Sequence, residues 1–198
     1  QMDWCTGEIV KTLEELGLDK NTLIIFSSDN GPVLDDGYFD QAEELIGNHN
    51  PSGIYRGGKY SAFEAGTRVP TIVYWPGEIK TGVSNALVTQ VDLYASLAKL
   101  VGQEIPNGDA PDSFDMLSTW LGRSTNGRKV MLEEAFTIAV RDGNWKYIEP
   151  VKSDPPAWFA NKRIESGLSN EVQLFNLEND PGEQKNVALK YPKKVKEM

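Results

Sequence analysis

Ile9, Val10, Leu13 and Leu16 recur at intervals of one helical turn and Gly17 follows them. That spacing predicts an amphipathic helix over residues 3–16, closed by the glycine. Leu23-Ile24-Ile25-Phe26 is an unbroken apolar run, the pattern of a strand covered on both faces, and Ser27-Ser28-Asp29-Asn30-Gly31-Pro32 ends it in turn-forming residues. A helix leading into a buried strand points to an α/β layer, where ligands gather at the carboxyl ends of strands. Asp29 and Asn30 stand at such an end. Residues 33–58 form a Gly-, Asn- and Asp-rich connection too long for a turn, with one short helix expected near Tyr38 to Ile46. Thr71-Ile72-Val73-Tyr74-Trp75 reads as a second buried strand closed by Pro76-Gly77. Asp92 is placed to cap a helix carrying Leu93, Leu97 and Leu100, and a shorter helix is expected from Met116 to Leu121.

After about residue 125 the pattern changes. Val130 to Leu132, Thr137 to Val140, Asn144 to Ile148 and Val172 to Leu177 are short apolar runs, and Asp142-Gly143 is a strong hairpin signal, so antiparallel strands are expected. Asp180-Pro181-Gly182-Glu183 combines a cap, a proline and an acid three positions later, which predicts that a final helix begins there. The lysines from Lys185 to Lys196 then read as its solvated end.

Charge is distributed unevenly. The net charge is −9, and residues 1–50 carry eleven acids against only Lys11 and Lys20, while the rest of the chain balances to zero. This acidity disfavours a nucleic-acid binder and leaves room for a cation site near the start. No apolar run reaches the length of a membrane span, and the mean hydropathy is −0.42. Cys5 is the only cysteine, which excludes intrachain disulfides and thiolate zinc clusters and leaves the compartment open.

Two short motifs can carry chemistry. Asp29-Asn30 supplies one charged and one neutral hard oxygen donor, a pair that suits Ca²⁺ or Mg²⁺ better than zinc, although the same residues could form an Asx turn. Gly57-Gly58-Lys59 lets backbone N–H groups approach an anion and sets a lysine beside them, as phosphate or sulfate binding needs, or it is a turn with an exposed lysine. It is not a P-loop, because Tyr60 follows Lys59 where Ser or Thr is required.

In combination the motifs resemble the arylsulfatases, the formylglycine-dependent branch of the alkaline phosphatase superfamily. Those that carry the likeness are Asn21 to Pro32, Tyr55-Arg56-Gly57-Gly58-Lys59, Phe63-Glu64-Ala65-Gly66-Thr67-Arg68-Val69-Pro70, Trp75-Pro76-Gly77, Asp92, Val140 to Ile148 and Leu174 to Glu183, in that order. The resemblance implies an α/β fold: residues 1–125 as the C-terminal part of the sulfatase sheet domain with half of the active site, and residues 126–198 as a small α+β domain with an antiparallel sheet and a closing helix. It implies that Asp29 and Asn30 are two of four protein ligands of a Ca²⁺, and that Lys59 is catalytic and contacts the sulfate. Arg56, Arg68 and Glu64 fall at motif positions expected to be structural. His49, the only histidine, lies in the variable loop, where it either touches substrate or is a plain surface residue.

The family's nucleophile is a formylglycine made from Cys/Ser-x-Pro-x-Arg. Cys5 is followed by Thr6-Gly7-Glu8-Ile9, and Ser153-Asp154-Pro155-Pro156-Ala157 ends in Ala157 where Arg is required, so the motif is absent from these 198 residues. The resemblance therefore implies a C-terminal portion of a sulfatase, inactive alone, whose partners are a sulfated small molecule or glycan and the missing N-terminal part of the same enzyme. No nucleic acid and no membrane span are expected, and the family implies a periplasmic, secreted or lysosomal-type compartment. Two alternatives stand beside this: a non-catalytic sulfatase-like binding or structural module, and a related metal-dependent phosphodiesterase.

Overall fold

The structure is a computed structural model that describes residues 1–198, the side chain of Asn161 excepted. The chain begins with helix α1 (Met2–Glu15), strand β1 (Ile24–Ser27), and the single-turn helices α2 (Ala42–Leu45) and α3 (Glu64–Thr67). Strand β2 (Thr71–Tyr74), helix α4 (Asp92–Leu100) and helix α5 (Leu117–Trp120) follow. Strands β3 (Val130–Glu134), β4 (Ile138–Asp142), β5 (Trp145–Ile148) and β6 (Gln173–Asn176) precede the last helix, α6 (Pro192–Glu197). The fold is thus α/β with antiparallel sheets. By contacts it forms two compact units, one of residues 1–27 and 71–128, the other of residues 28–70 and 129–198.

In the first unit, β1 and β2 pair antiparallel, with Ile24 opposite Tyr74 and Ser27 opposite Thr71. The expected burial on both faces is not found: β1 is half-buried and β2 mostly exposed. A two-stranded ribbon gives each strand a single neighbour, so even an unbroken apolar run remains partly uncovered. Asp92 also departs from expectation, because Val91 holds the cap position of α4 and Asp92 lies inside the helix, fully buried. Its carboxylate accepts from the Phe114 N–H at 2.9 Å and from Arg128 Nε at 2.8 Å and Nη2 at 2.5 Å. It therefore ties three segments together instead of finishing one helix end.

The second unit is built on a four-stranded antiparallel sheet in the order β3-β4-β5-β6. The Asp142-Gly143 signal is met by the β4–β5 hairpin, where Asp142 faces Trp145 and Gly143 takes φ +57°. Ala62, Phe63, Ala139, Ile148, Phe175 and Leu177 form its core, with the Phe63 and Phe175 rings edge to face at 5.9 Å. No helix begins at Asp180. Its carboxylate caps a turn instead, accepting from Gln184 N–H at 3.0 Å and Lys185 N–H at 2.8 Å, and Glu183 adopts φ +50°, a conformation a helix cannot continue through. The helix starts at Pro192, and within it Lys194 pairs with Asp142 at 2.6 Å, so one lysine of the basic tail has a partner. Among the described residues no helix is long and apolar enough to cross a membrane.

Candidate functional site

The segment after β1 is a polar turn whose side chains partly bond their own backbone. Ser28 Oγ donates to the Asn30 carbonyl at 2.9 Å, and Asn30 Nδ2 donates to the Gly31 carbonyl at 2.9 Å. The Asn30 amide oxygen and the exposed Asp29 carboxylate take no bond among the described residues. Their oxygens match the donor chemistry of a hard divalent cation, yet two ligands fall short of the six to eight that calcium takes. Among the described residues no group of three or more His, Cys, Asp or Glu side chains could hold a metal ion.

Two backbone bonds fasten this turn to the segment that carries the lysine: Gly31 N–H donates to the Gly66 carbonyl at 2.9 Å, and Lys59 N–H donates to the Pro32 carbonyl at 2.9 Å.

 A side chain at Gly31 would overlap the Ala65 carbonyl oxygen, and one at Gly58 would press on the Pro32 carbonyl. Close approach of backbone to backbone therefore explains both glycines, and it brings Asp29-Asn30 and Lys59 into one loop cluster. Ala65 itself is buried, with its N–H donating to the Arg56 carbonyl at 3.0 Å.

The Lys59 ammonium donates to Asp36 Oδ2 at 2.8 Å, and the Tyr60 hydroxyl donates to Asp36 Oδ1 at 3.2 Å. The hydrogen bond to Asp36 raises the Lys59 pKa, and the same bond holds the Asp36 carboxyl below its ordinary range. Lys59 is thus a fixed cation at any physiological pH. Asp35 accepts from Gly37 N–H at 3.0 Å and lies 3.9 Å from Lys162 Nζ. His49 is exposed, and no contact among the described residues joins its side chain to Lys59.

Beneath these loops lies an ionic cluster that sequence reading did not anticipate. Glu64, the first residue of α3, accepts from Lys146 Nζ at 3.2 Å, Arg141 Nη1 at 2.8 Å and Arg68 Nη1 at 3.2 Å. Lys146, fully buried on β5, also donates to Glu133 Oε2 at 2.9 Å and has Glu183 Oε1 at 3.9 Å. Glu183 Oε2 in turn accepts the Glu64 N–H at 2.6 Å, so the Asp-Pro-Gly-Glu element closes on the first turn of α3. Burial works against the charge of Glu64, but Lys146 and Arg141 outweigh it and its pKa is lowered. Burial likewise works against Lys146, and Glu133 and Glu64 outweigh it to raise its pKa. Arg56 stacks 4.0 Å from the Phe63 ring centre, pairs with Glu165 and donates to the Glu183 carbonyl at 2.8 Å. Each of these contacts supports packing.

Glu183 gives this cluster a pH response. Burial pushes its carboxyl from 4.5 to about 7, with Lys146 only partly opposing. A carboxyl raised on folding binds more protons in the folded state than in the unfolded one. Its contribution is therefore full below about pH 4.5 and is lost as pH rises through about 7. Glu64 acts in the opposite sense, and its contribution disappears only as pH falls below the ordinary carboxylate range. Stability should then decline between about pH 5 and 8 by an amount on the order of 2–3 kcal/mol. Glu183→Gln should flatten that decline in denaturant unfolding followed across the range; an unchanged slope would show that Glu183 is ionised throughout.

A sequence model of the family described as Sulfatase matches residues 1–103. The chain belongs to the sulfatase family. It is 49% identical to an N-acetylgalactosamine-6-O-sulfatase of Bacteroides thetaiotaomicron over 100% of this chain and 39% of that protein. It is 31% identical to human arylsulfatase A over 94% of this chain and 37% of that protein. A solved structure from work on the metabolism of multiple glycosaminoglycans by Bacteroides thetaiotaomicron superposes with a TM-score of 0.93 at 47% identity, covering 99% of this chain and 41% of that one. The PsFucS1 sulfatase of a Pseudoalteromonas species superposes with a TM-score of 0.75 at 30% identity, covering 98% and 38%. This sulfatase chain thus spans about two-fifths of the length of these relatives.

Proposed function

We propose that this sulfatase chain forms one side of an active site that hydrolyses sulfate esters on glycans. The observation that supports it best is the double backbone junction, Gly31 to Gly66 and Lys59 to Pro32, which fixes a pair of free oxygen donors and a permanently charged lysine in one loop cluster. In this reading Asp29 and Asn30 give two oxygens to a Ca²⁺, and Lys59 meets the sulfate. The further calcium ligands and the formylglycine belong to the part of the enzyme that corresponds to the rest of the relatives' length. When bound, calcium with formylglycine supplies electrophilic polarisation of the ester and the covalent acceptor for sulfate.

The chain's own residues do the following. Asp29 and Asn30 present oxygens at the end of β1 from a turn braced by the Ser28 and Asn30 side chains. Asp36 keeps the Lys59 ammonium protonated and held in place before substrate arrives. Lys59 then offsets the negative charge that grows on the ester oxygens as the leaving oxygen departs, an interaction stronger in the transition state than in the ground state. In the same reading His49 and the loop of residues 33–54 would meet a sugar beyond the ester. The reading suits a periplasmic, secreted or lysosomal-type compartment.

The 49% identity to an N-acetylgalactosamine-6-O-sulfatase makes a 6-O-sulfated hexosamine the first substrate to test. The full-length protein that carries this chain should release inorganic sulfate from 6-O-sulfated N-acetylgalactosamine oligosaccharides, and a calcium chelator should stop the release. No sulfate release from 6-O-, 4-O- or 2-O-sulfated oligosaccharides, with calcium supplied, would overturn the reading and leave a non-catalytic glycan-binding role.

A further inference from the structure

Four aromatic rings meet beside Lys59, apart from the apolar cluster around Phe63 and Phe175. Tyr60 follows Lys59 in the chain, Phe136 sits in the turn between β3 and β4, and Trp158 and Phe159 lie on the 3-10 segment Ala157–Lys162. Tyr60 and Trp158 meet edge to face at 5.0 Å. Phe136 lies 6.1 Å from Trp158 and 6.3 Å from Phe159, and Trp158 and Phe159 are 6.0 Å apart. The cluster has a floor and an open top, since Phe159 is 4% exposed whereas Phe136 is 38% and Trp158 46% exposed.

A cluster serving stability alone would place its largest ring at the bottom, because burying a tryptophan removes the most apolar surface from water. Here the tryptophan is held by three other rings and left half open. Two members also adopt backbone conformations that bulky residues rarely take, Tyr60 at φ +72° and Phe136 at φ +61°. Such conformations persist only where the surroundings enforce them, and they concentrate at ligand sites. Their effect is to direct aromatic side chains from two separate loops to one place.

The polar surroundings identify what would rest there. The Lys59 ammonium is 5.2 Å from the centre of the Tyr60 ring, and Asp36 binds both the Lys59 ammonium and the Tyr60 hydroxyl. The neighbouring Asp35 pairs with Lys162. An anion-binding cation, carboxylate acceptors and exposed ring faces therefore lie together. A sulfated pyranose carries the matching features: a C–H face that lies against aromatic rings, hydroxyls that donate to carboxylates, and an anionic ester. An apolar ligand would have no use for the charges, and a simple anion none for the rings.

We propose that Tyr60, Phe136 and Trp158, supported by Phe159, form a carbohydrate platform that seats a sugar ring of the glycan whose sulfate meets Lys59. The inference rests on the sulfatase reading for its substrate, but the platform itself binds sugar whether or not the ester is cleaved. Trp158 and Phe136 are positioning residues here: they hold the ring and do not touch the reacting ester.

The test uses the full-length protein and an N-acetylgalactosamine 6-O-sulfate oligosaccharide, together with its desulfated counterpart. Titration with the desulfated oligosaccharide should change the intrinsic tryptophan fluorescence, and Trp158→Ala should remove that change. Trp158→Ala should also raise KM for the sulfated oligosaccharide roughly tenfold with kcat altered less than twofold, and Trp158→Tyr, which keeps a flat ring, should restore most of the affinity. A fall in kcat at constant KM, or wild-type binding in Trp158→Ala, would overturn the platform. If the wild-type protein cleaves no ester, the fluorescence titration still decides: binding that depends on Trp158 supports the platform, and no binding overturns it.

Discussion

Lys146→Met is expected to destabilise the protein by about 3–5 kcal/mol, the loss that follows when one partner of a buried ion pair is removed and the other is left uncompensated. Lys146 is fully buried and is the shared partner of Glu64, Glu133 and Glu183. Glu64 keeps Arg141 and Arg68, but among the described residues Glu133 would retain only the Thr67 hydroxyl at 2.7 Å, and Glu133 Oε1 has no partner among them. The double change Lys146→Met with Glu133→Gln should recover part of the loss, because the orphaned charge disappears with the cation. Denaturant unfolding of the single and double variants measures both effects. A loss below about 1 kcal/mol for Lys146→Met would mean that the carboxylates are mostly protonated in the native protein.

Lys59→Ala is expected to act on rate and to leave stability nearly intact. In the full-length enzyme it should lower kcat by about 10²–10³, equivalent to roughly 2.7–4 kcal/mol of transition-state stabilisation. The Lys59–Asp36 pair is partly open to solvent, with side chains 22% and 31% exposed, so its loss should change stability little. Arg56→Ala should behave in the opposite way, since Arg56 is spent on Phe63, Glu165 and the Glu183 carbonyl. Steady-state kinetics and thermal melts of the two variants separate the cases. Equal losses of kcat, or none for Lys59→Ala, would show that the lysine does not meet the ester.

Local signals in the sequence located most of the elements. The spacing of Ile9, Val10, Leu13 and Leu16 marked α1, and Asp142-Gly143 marked a real hairpin, because helical periodicity and left-handed turn positions are settled by neighbouring residues. Asp180-Pro181-Gly182-Glu183 misled for an instructive reason. The pattern of a helix start is there, but Glu183 sends its side chain into the buried cluster to reach the Glu64 N–H, and tertiary contact overrides the local preference. The cluster itself was not legible. Its members come from α3 and the residue after it, β3, β4, β5 and the turn after β6, and no spacing in the chain announces that charges so far apart will meet inside. Asp36 shows the same limit at the site: no spacing in the chain singles it out, yet in the fold it is the partner of Lys59.

The order in which the second unit becomes available follows from its connectivity. Glu64 and Glu183 are 119 positions apart, and the loops bearing Asp29 and Lys59 belong with a sheet that begins only at Val130. During vectorial synthesis, at about 5–20 residues per second, those loops leave the ribosome well before the strands that brace them. They must wait unsupported while all of residues 71–128 emerges, and their closure over that span carries a loop entropy that grows slowly with its length. Within these 198 residues the loops proposed to meet the sulfate are thus made before the strands that brace them. A chain cut short after β5 would still contain those loops and yet lack Glu183, the group that fastens α3 in place.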